Sequence, residues 1–208
     1  MQIISHRGLW YDFAKESNQR IAFERSFDKG FGTETDLRDI CGKIVISHNM
    51  PEGDEITFSE LLELMDGRNL PLALNIKADG MVDEIKKILT HYEHTNYFTF
   101  DMSIPDMVVQ MNKKVCVYTG CSDILNPPVL LGKAQGVWLD SFNSEWFDEN
   151  IVKGYLLQEK KVCIVSADLH QRDVLEQWDK IKNFSCLLDN NIMLCTDEPE
   201  QAKNYFGM

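Results

Sequence analysis

The stretch Gln2-Ile3-Ile4-Ser5-His6-Arg7-Gly8 is a short apolar run that ends in a histidine, an arginine and a glycine. A short run rich in branched apolar residues predicts a strand that is buried on both faces, as in parallel sheets. No glycine-rich loop follows this strand, although such a loop is typical of doubly wound folds that bind nucleotides. Charged residues at the end of a buried strand are costly unless paired, and they usually serve chemistry.

Beyond this stretch, strand-like and helix-like segments alternate along the chain, without internal repeats or low-complexity tracts. The predicted strands occupy eight positions, which are residues 2–5, 33–37 with 43–47, 71–77, 97–100, 114–118, 136–139, 161–165 and 191–195. The predicted helices cover residues 18–29, 58–65, 81–91, 104–112, 144–160 and 173–184. The last of these begins with Asp173 followed three residues later by Glu176, which is a helix start signal.

Strands that alternate with helices predict an α/β protein with a parallel sheet. Eight such units favour closure into a (β/α)8 TIM barrel, with residues 1–208 forming a single domain. An open doubly wound sheet is the alternative. In a barrel, active residues gather at the carboxyl ends of the strands. The residues expected there are His6, Arg7, Asp36, His48, Lys77 and Asp101.

Composition narrows the classes of partner. The 208 residues are 44% hydrophobic and carry a formal net charge of −12, which argues against nucleic acid or an anionic membrane as a partner. An anionic small molecule is still compatible with this net charge as a partner, because a local cation can reverse the electrostatic field inside one pocket. No apolar run approaches about 18 residues, so no membrane span is expected. The oligomeric state stays open.

Six cysteines are present, and three of them, Cys116, Cys163 and Cys195, lie inside apolar runs that are typical of small buried side chains. The sequence has no Cys-x-x-Cys pair, so the cysteine spacing does not indicate a zinc site. Reduced cysteines, together with the lack of a signal-peptide pattern, lead us to expect a cytoplasmic protein.

Two carboxylates, Glu34 and Asp36, are two residues apart on a predicted strand and therefore share one face. Neighbouring carboxylates repel each other unless a cation or a shared proton relieves them. A hard divalent cation, Mg²⁺ or Ca²⁺, prefers such oxygen ligands. The alternative is that the two carboxylates cap the next turn or pair with Arg38.

Two histidines, His6 and His48, end strand-like runs on either side of this acidic pair in sequence. A histidine can act as base or acid near neutral pH, so the two could serve as catalytic partners. The alternative is a structural role for each. His91 and His94, at the end of a polar helix, are expected to be solvated. Arg7 and Lys77 would supply positive charge for an anion such as phosphate.

These motifs together resemble the glycerophosphodiester phosphodiesterases. The matching residues are His6-Arg7-Gly8, Asn18-x4-Phe23, Glu34-Thr35-Asp36, Ser47-His48-Asn49, Asn75-Ile76-Lys77 and Cys195-Thr196-Asp197-Glu198-Pro199. The resemblance spans nearly the whole chain and is most specific in its amino-terminal part. The family belongs to the superfamily of phosphodiesterase barrels that resemble phosphatidylinositol-specific phospholipase C.

The resemblance implies metal-assisted cleavage of a glycerophosphodiester or a related alcohol-linked phosphodiester. Glu34, Asp36 and Asn75 would hold Mg²⁺ or Ca²⁺, and the substrate phosphate would bind Arg7 and Lys77. His6 and His48 would share the roles of base and acid. Attack by a substrate hydroxyl would give a cyclic phosphate that water can open.

Three departures from the family pattern concern the substrate. Asn75 stands where the family has a third metal carboxylate, and Asp101 or Asp140 at a neighbouring strand end could compensate. The insertion that covers the site after the second histidine is reduced to about eight residues, 49–56, which would suit a bulkier phosphodiester. Ser17 replaces the glutamate of the family's Pro-Glu-Asn motif.

Two alternatives accompany the leading hypothesis of a metal-dependent phosphodiester hydrolase. One is a catalytically weakened or inactive phosphodiester-binding protein on the same barrel, which lost activity with the third carboxylate. Retention of both His6 and His48 argues for the enzyme. The other is a lyase-like enzyme that stops at the cyclic phosphate.

Overall fold

The computed structural model describes residues 1–208, which form nine strands and eight α-helices. The strands are β1 (Gln2–His6), β2 (Gly32–Ile40), β3 (Lys43–Ile46), β4 (Leu72–Ile76), β5 (Tyr97–Phe100), β6 (Tyr118–Cys121), β7 (Gly136–Leu139), β8 (Lys161–Val165) and β9 (Ile192–Thr196). The helices are α1 (Phe13–Glu16), α2 (Arg20–Asp28), α3 (Phe58–Met65), α4 (Val82–His91), α5 (Ile104–Asn112), α6 (Glu149–Leu156), α7 (Leu175–Lys182) and α8 (Pro199–Phe206), and a 3-10 helix covers Ala167–His170.

The chain divides into two compact units. One consists of Met1–Ile4 and Tyr118–Met208, and the other is Ser5–Val117. Strand β1 contributes residues to both units, because the division falls after Ile4. The assignment of residues 1–208 to a single domain stays a prediction.

In the unit Ser5–Val117, strands β2, β4 and β5 are parallel neighbours, with Asp36 opposite Asn75 and Asn75 opposite Phe100. Strand β3 folds back antiparallel onto β2, so that Leu37 pairs with Ile46. The carboxyl ends of parallel strands meet at one edge of the sheet. The hairpin formed by β2 and β3 returns the chain to that same edge.

Helix α3 shows how local sequence sets the elements of this unit. Thr57 is its N-cap: the Thr57 hydroxyl accepts a hydrogen bond from the Glu60 amide, and the Glu60 carboxylate accepts one from the Thr57 amide. The buried side chains follow a helical spacing; they are Phe58, Leu61, Leu62 and Met65. Helix α3 packs against β3 and α2, and α2 in turn packs against β2.

In the unit that contains Tyr118–Met208, strands β6, β7, β8 and β9 are parallel neighbours in chain order. Helix α6 packs against β8, and α8 packs against β9. The Trp178 ring of α7 is fully buried against the Tyr205 and Phe206 rings, and its indole N–H donates to Ser166 Oγ. Each unit therefore contains parallel strands with helices packed against them, and the unit Ser5–Val117 also contains the antiparallel strand β3.

Several predicted boundaries are wrong for local reasons. The strand predicted at residues 114–118 is observed as β6, Tyr118–Cys121, preceded by a parallel bridge between Val117 and Thr99. Lys114, with a positive φ of 60°, belongs to the turn after α5. The helix predicted at 144–160 shortens to α6, which begins after Asp148, whose side chain accepts from the Ile151 amide. Helix α7 begins at Leu175, and its N-cap residue Val174 has no capping side chain. The prediction lacks α1, α8 and the 3-10 helix.

Candidate active site

The end of β1 places His6 and Arg7 at the carboxyl edge of the sheet. The Arg7 amide donates to the Glu34 carbonyl over 2.9 Å, and the Gly8 amide donates to Thr33 Oγ1 over 3.0 Å. Arg7 and Gly8 have positive φ values of 59° and 86°, which turn the chain sharply away from the strand. Strained backbone of this kind is often kept at functional sites.

Gly8 permits this turn in a second way. A Cβ atom at Gly8 would lie 2.7 Å from the carbonyl carbon and from the Cβ of Ala22 in helix α2. The absence of a side chain therefore allows the turn after β1 to lie directly against α2.

Strand β2 carries the two predicted carboxylates into the interior. Glu34 is 2% exposed and Asp36 is fully buried, on a strand whose neighbouring residues Thr33 and Thr35 are buried as well. Charged groups with so little solvent require compensation from neighbouring charges or hydrogen bonds. The surrounding side chains show where that compensation comes from.

Asp36 is the most extensively contacted acid of the site. Arg7 Nε lies 2.9 Å from Asp36 Oδ2, and Lys77 Nζ lies 3.3 Å from Asp36 Oδ1. Asn18 Nδ2 donates a hydrogen bond to Asp36 Oδ2 over 2.8 Å. Two cations and an amide donor thus compensate the burial of this carboxylate.

Glu34 has weaker compensation. His6 Nε2 lies 3.8 Å from Glu34 Oε2, which has no hydrogen-bond partner. Burial, and then the negative charge of Asp36, raise the pKa of Glu34 to about 7. Near neutral pH, Glu34 therefore takes up a proton readily unless a cation is close to it.

Asn75 lies beside Asp36 on the neighbouring strand, because the two residues are paired in the register of β2 and β4. Its side chain is buried, and Oδ1 has no hydrogen-bond partner. Its Nδ2 donates to Asp101 Oδ2 over 3.4 Å. The Asp101 residue follows β5 directly, is exposed and has a positive φ of 62°.

These side chains fit a divalent cation. Glu34 Oε2, Asp36 Oδ1 and Asn75 Oδ1 are all buried oxygens that accept no hydrogen bond. Three oxygens of this kind are the ligands that Mg²⁺ and Ca²⁺ prefer. The protein has no group of three or more His, Cys, Asp and Glu side chains arranged to hold a metal, so a metal site here would have to include the Asn75 amide.

His48 reaches the site through the hairpin. The Ser47 amide donates to the Asp36 carbonyl over 3.0 Å, which brings the residues after β3 back to the end of β2. His48 is exposed, and its Nδ1 lies 3.1 Å from Asn49 Oδ1. His48 and Arg7 both line a cleft of about 530 Å³.

The Arg38 side chain donates hydrogen bonds to two backbone carbonyls beside the site. The structure does not show the alternative in which Arg38 pairs with Glu34 or Asp36. Arg38 Nε donates to the His48 carbonyl and Arg38 Nη1 donates to the Lys77 carbonyl, each over 3.2 Å. These bonds join the loop after β3 to the end of β4. The backbone positions of His48 and Lys77 are therefore linked through one side chain.

The unit Ser5–Val117 thus brings the predicted residues to one sheet edge, while their roles stay predictions. The residues that meet there are His6, Arg7, Glu34, Asp36, Asn75 and Lys77, with His48 at the cleft. The sequence indicates Asn18 only as a motif residue and does not predict its contact with Asp36. It does not indicate Thr33 as a site residue either, apart from the position of Thr33 one residue before Glu34.

The expectation that His94 is solvated is wrong. His94 is 7% exposed, and its Nε2 lies 3.2 Å from the Asn96 carbonyl. Burial lowers the pKa of His94, which favours the neutral ring. His91 is exposed, as expected.

None of the helices is both long enough and apolar enough to cross a membrane. Searches of protein-family models and of curated proteins found no match to this chain. Comparison with solved structures did find similar chains.

A glycerophosphodiester phosphodiesterase from Agrobacterium tumefaciens shares 13% identity with this chain over 100% of both chains, with a TM-score of 0.73. A phosphodiesterase from Oleispira antarctica, solved in complex with the product sn-glycerol-3-phosphate, shares 13% identity over 100% of this chain and 97% of its own, with a TM-score of 0.72. Phosphoribosyl anthranilate isomerase from Thermus thermophilus gives 10% identity over 100% and 97%, with a TM-score of 0.51.

Identities this low show the fold alone, and the isomerase illustrates that one fold supports different reactions. The likeness over the full length of the chain confirms the predicted (β/α)8 TIM barrel, and the doubly wound alternative is wrong. The fold is the one found in glycerophosphodiester phosphodiesterases.

Proposed function

We propose that this chain is a metal-dependent phosphodiester hydrolase acting on a glycerophosphodiester or a related alcohol-linked phosphodiester. The observation that carries the proposal is the set of three buried oxygens without hydrogen bonds, on Glu34, Asp36 and Asn75, next to Arg7 and Lys77. Oxygen ligands beside two fixed cations suit a metal together with a phosphate. The fold shared with two phosphodiesterases supports the same reaction class.

Glu34, Asp36 and Asn75 would hold Mg²⁺ or Ca²⁺. When bound, the ion would neutralise phosphate charge and polarise a phosphoryl oxygen. Binding would also favour the ionised form of Glu34, whose pKa is raised to about 7 by burial and by Asp36. Two carboxylates and one amide carry less negative charge than three carboxylates, so we expect modest affinity.

Arg7 and Lys77 would bind the substrate phosphate. Both are within ion-pair distance of Asp36, so the carboxylate holds them at the edge of the sheet before substrate arrives. Arginine can present several planar donors to phosphate, whereas lysine contributes a compact charge. Asp36 therefore has a second role, which is to position the phosphate-binding groups.

His6 and His48 would transfer the protons. One histidine accepts the proton of a substrate hydroxyl, and the freed oxygen forms a bond to phosphorus. The phosphorus–oxygen bond to the leaving alcohol then breaks, and the other histidine donates a proton to that alcohol. In a second step, water would open the resulting cyclic phosphate, with the proton roles exchanged.

A catalytically weakened phosphodiester-binding protein is the second candidate. The observation that favours it is Asn75, which replaces a charged metal ligand by a neutral one. Such a protein would bind a phosphodiester through Arg7 and Lys77 without turning it over.

A screen of phosphodiesters followed by 31P NMR tests the proposal. Glycerol-, inositol- and saccharide-linked diesters are incubated with the protein in Mg²⁺, in Ca²⁺ or in EDTA. We expect turnover that EDTA abolishes, and a cyclic or an opened product reveals whether water completes the reaction. Metal-independent turnover would contradict the metal assignment, whereas binding without turnover across the panel would favour the binding protein.

A further inference from the structure

The metal site proposed above includes one neutral ligand, the side-chain amide of Asn75. Asparagine has one metal-ligating oxygen and one amide nitrogen that cannot ligate in its ordinary form. The side chain is useful as a ligand only when Oδ1, rather than Nδ2, faces the ion. Some neighbouring group must therefore select this orientation of the amide.

Asp101 is the group that the structure places at the other side of the amide. Because Asn75 is opposite Phe100 in the register of β4 and β5, the next residue, Asp101, comes within reach of the Asn75 side chain. Asn75 Nδ2 donates to Asp101 Oδ2 over 3.4 Å, while Asn75 Oδ1 is buried without a hydrogen bond. The reversed amide would set Oδ1 against the Asp101 carboxylate, oxygen against oxygen, which is unfavourable.

We propose that Asp101 is a positioning residue of the metal site, which orients the Asn75 amide and supplies nearby the negative charge that Asn75 lacks. This inference rests on the metal site of the proposed function. The Asn75–Asp101 pair then takes the place of a single carboxylate, with the ligating oxygen on β4 and the charge after β5. Groups behind a ligand commonly orient it and tune the metal in this manner.

Substitutions at Asp101 can separate charge from orientation. Asp101→Asn keeps an oxygen that can accept from Asn75 Nδ2 but removes the charge, and asparagine tolerates the positive φ of 62°. Asp101→Gly tolerates that φ too and removes both the charge and the acceptor. Asp39→Asn is the matched control, because Asp39 is exposed on the same strand as Asp36.

Isothermal titration calorimetry with Mg²⁺ and with Ca²⁺ measures the effect on affinity. We expect Asp101→Asn to weaken binding by about 10-fold and Asp101→Gly by up to about 100-fold. Asp39→Asn should leave the affinity nearly unchanged. Melting temperatures without metal verify that each variant folds.

A double-mutant cycle with Asn75→Asp supplies the decisive comparison. A carboxylate at position 75 presents oxygen in either orientation, so we expect Asp101→Asn to cost little or nothing in that background. An equal cost in both backgrounds, or no cost in either, overturns the role of Asp101. If neither the wild-type protein nor Asn75→Asp binds metal, the metal site of the proposed function is wrong, and this inference falls with it.

Discussion

Asn18 Nδ2 donates a hydrogen bond to Asp36 Oδ2 over 2.8 Å, while Asn18 Oδ1 accepts one from Thr35 Oγ1 over 2.9 Å. Asn18 precedes helix α2 and has a positive φ of 59°. One buried amide therefore connects the turn before α2 to two consecutive residues of β2. This connection is one of the contacts that hold the Asp36 carboxylate, which in turn lies within ion-pair distance of Arg7 and Lys77.

We expect Asn18→Gly to lower the free energy of unfolding by roughly 2–6 kcal/mol, because the buried hydrogen bonds to Asp36 and Thr35 are lost at about 1–3 kcal/mol each. Glycine keeps the backbone conformation, so the loss reports the side chain. Urea unfolding measures it. The control is Glu93→Gly, at an exposed residue with a similar φ of 52°, which should be neutral or stabilising. Equal effects of the two substitutions would contradict the role of Asn18.

The pKa of Glu34 makes stability depend on pH when no metal is present. Its folded pKa of about 7 lies above the ordinary value of 4.5, because of burial and the charge of Asp36. Between these values, the unfolded chain releases the proton while the folded protein retains it, so stability falls as pH rises. The stabilising contribution is complete below about pH 4.5 and is lost above about pH 7.

Glu34→Gln removes this contribution. In EDTA, we expect the stability of the glutamine variant relative to wild type to increase from about pH 5 to pH 7 and then to level off. Melting curves across that range measure the difference, and saturating Mg²⁺ or Ca²⁺ should reduce it. A difference independent of pH would show that Glu34 does not titrate as its surroundings indicate.

The close approach between the turn after β1 and helix α2 can be tested by adding one methyl group at Gly8. Gly8→Ala brings its Cβ to 2.7 Å from Ala22, whereas Gly42→Ala has a similar φ of 78° and no atom within 4 Å. We expect Gly42→Ala to cost about 1–2 kcal/mol, the penalty for a left-handed alanine. Gly8→Ala should cost about 1–3 kcal/mol more, because it also overpacks the turn. Similar losses in unfolding free energy would contradict this contact.

Because the His48 side chain is exposed, a substitution there can change the catalytic rate without changing the stability of the fold. If the proposed function is correct, His48→Ala should lower kcat by about 10²–10⁴-fold, the range for loss of a general acid or base. The melting temperature should hardly change, because the side chain is exposed. The control is His91→Ala, at an exposed histidine on α4. Retention of half of the wild-type rate by His48→Ala would exclude it from catalysis.

The strands at 97–100, 136–139 and 161–165 and the helices at 58–65 and 104–112 are observed with the predicted bounds. In these segments apolar periodicity and clear end signals agree, so local pattern suffices. It fails at Lys114, which belongs to the turn after α5 and not to a strand, because a left-handed turn residue leaves no apolar signature. His94 shows the same limit, since a histidine after a polar helix carries no local sign of the burial that the fold gives it.

At the site, the identity of the polar residues and their places after strand-like runs could be read from the chain, because parallel strands direct their carboxyl ends to one edge. The pairing of Arg7 and Lys77 with Asp36, the Asn18 bridge and the contact between Asn75 and Asp101 required the folded chain. The physical reason is that residue type sets what a side chain can bind. Strand register and backbone turns set which partner comes within 3 or 4 Å, and they depend on residues far away in sequence.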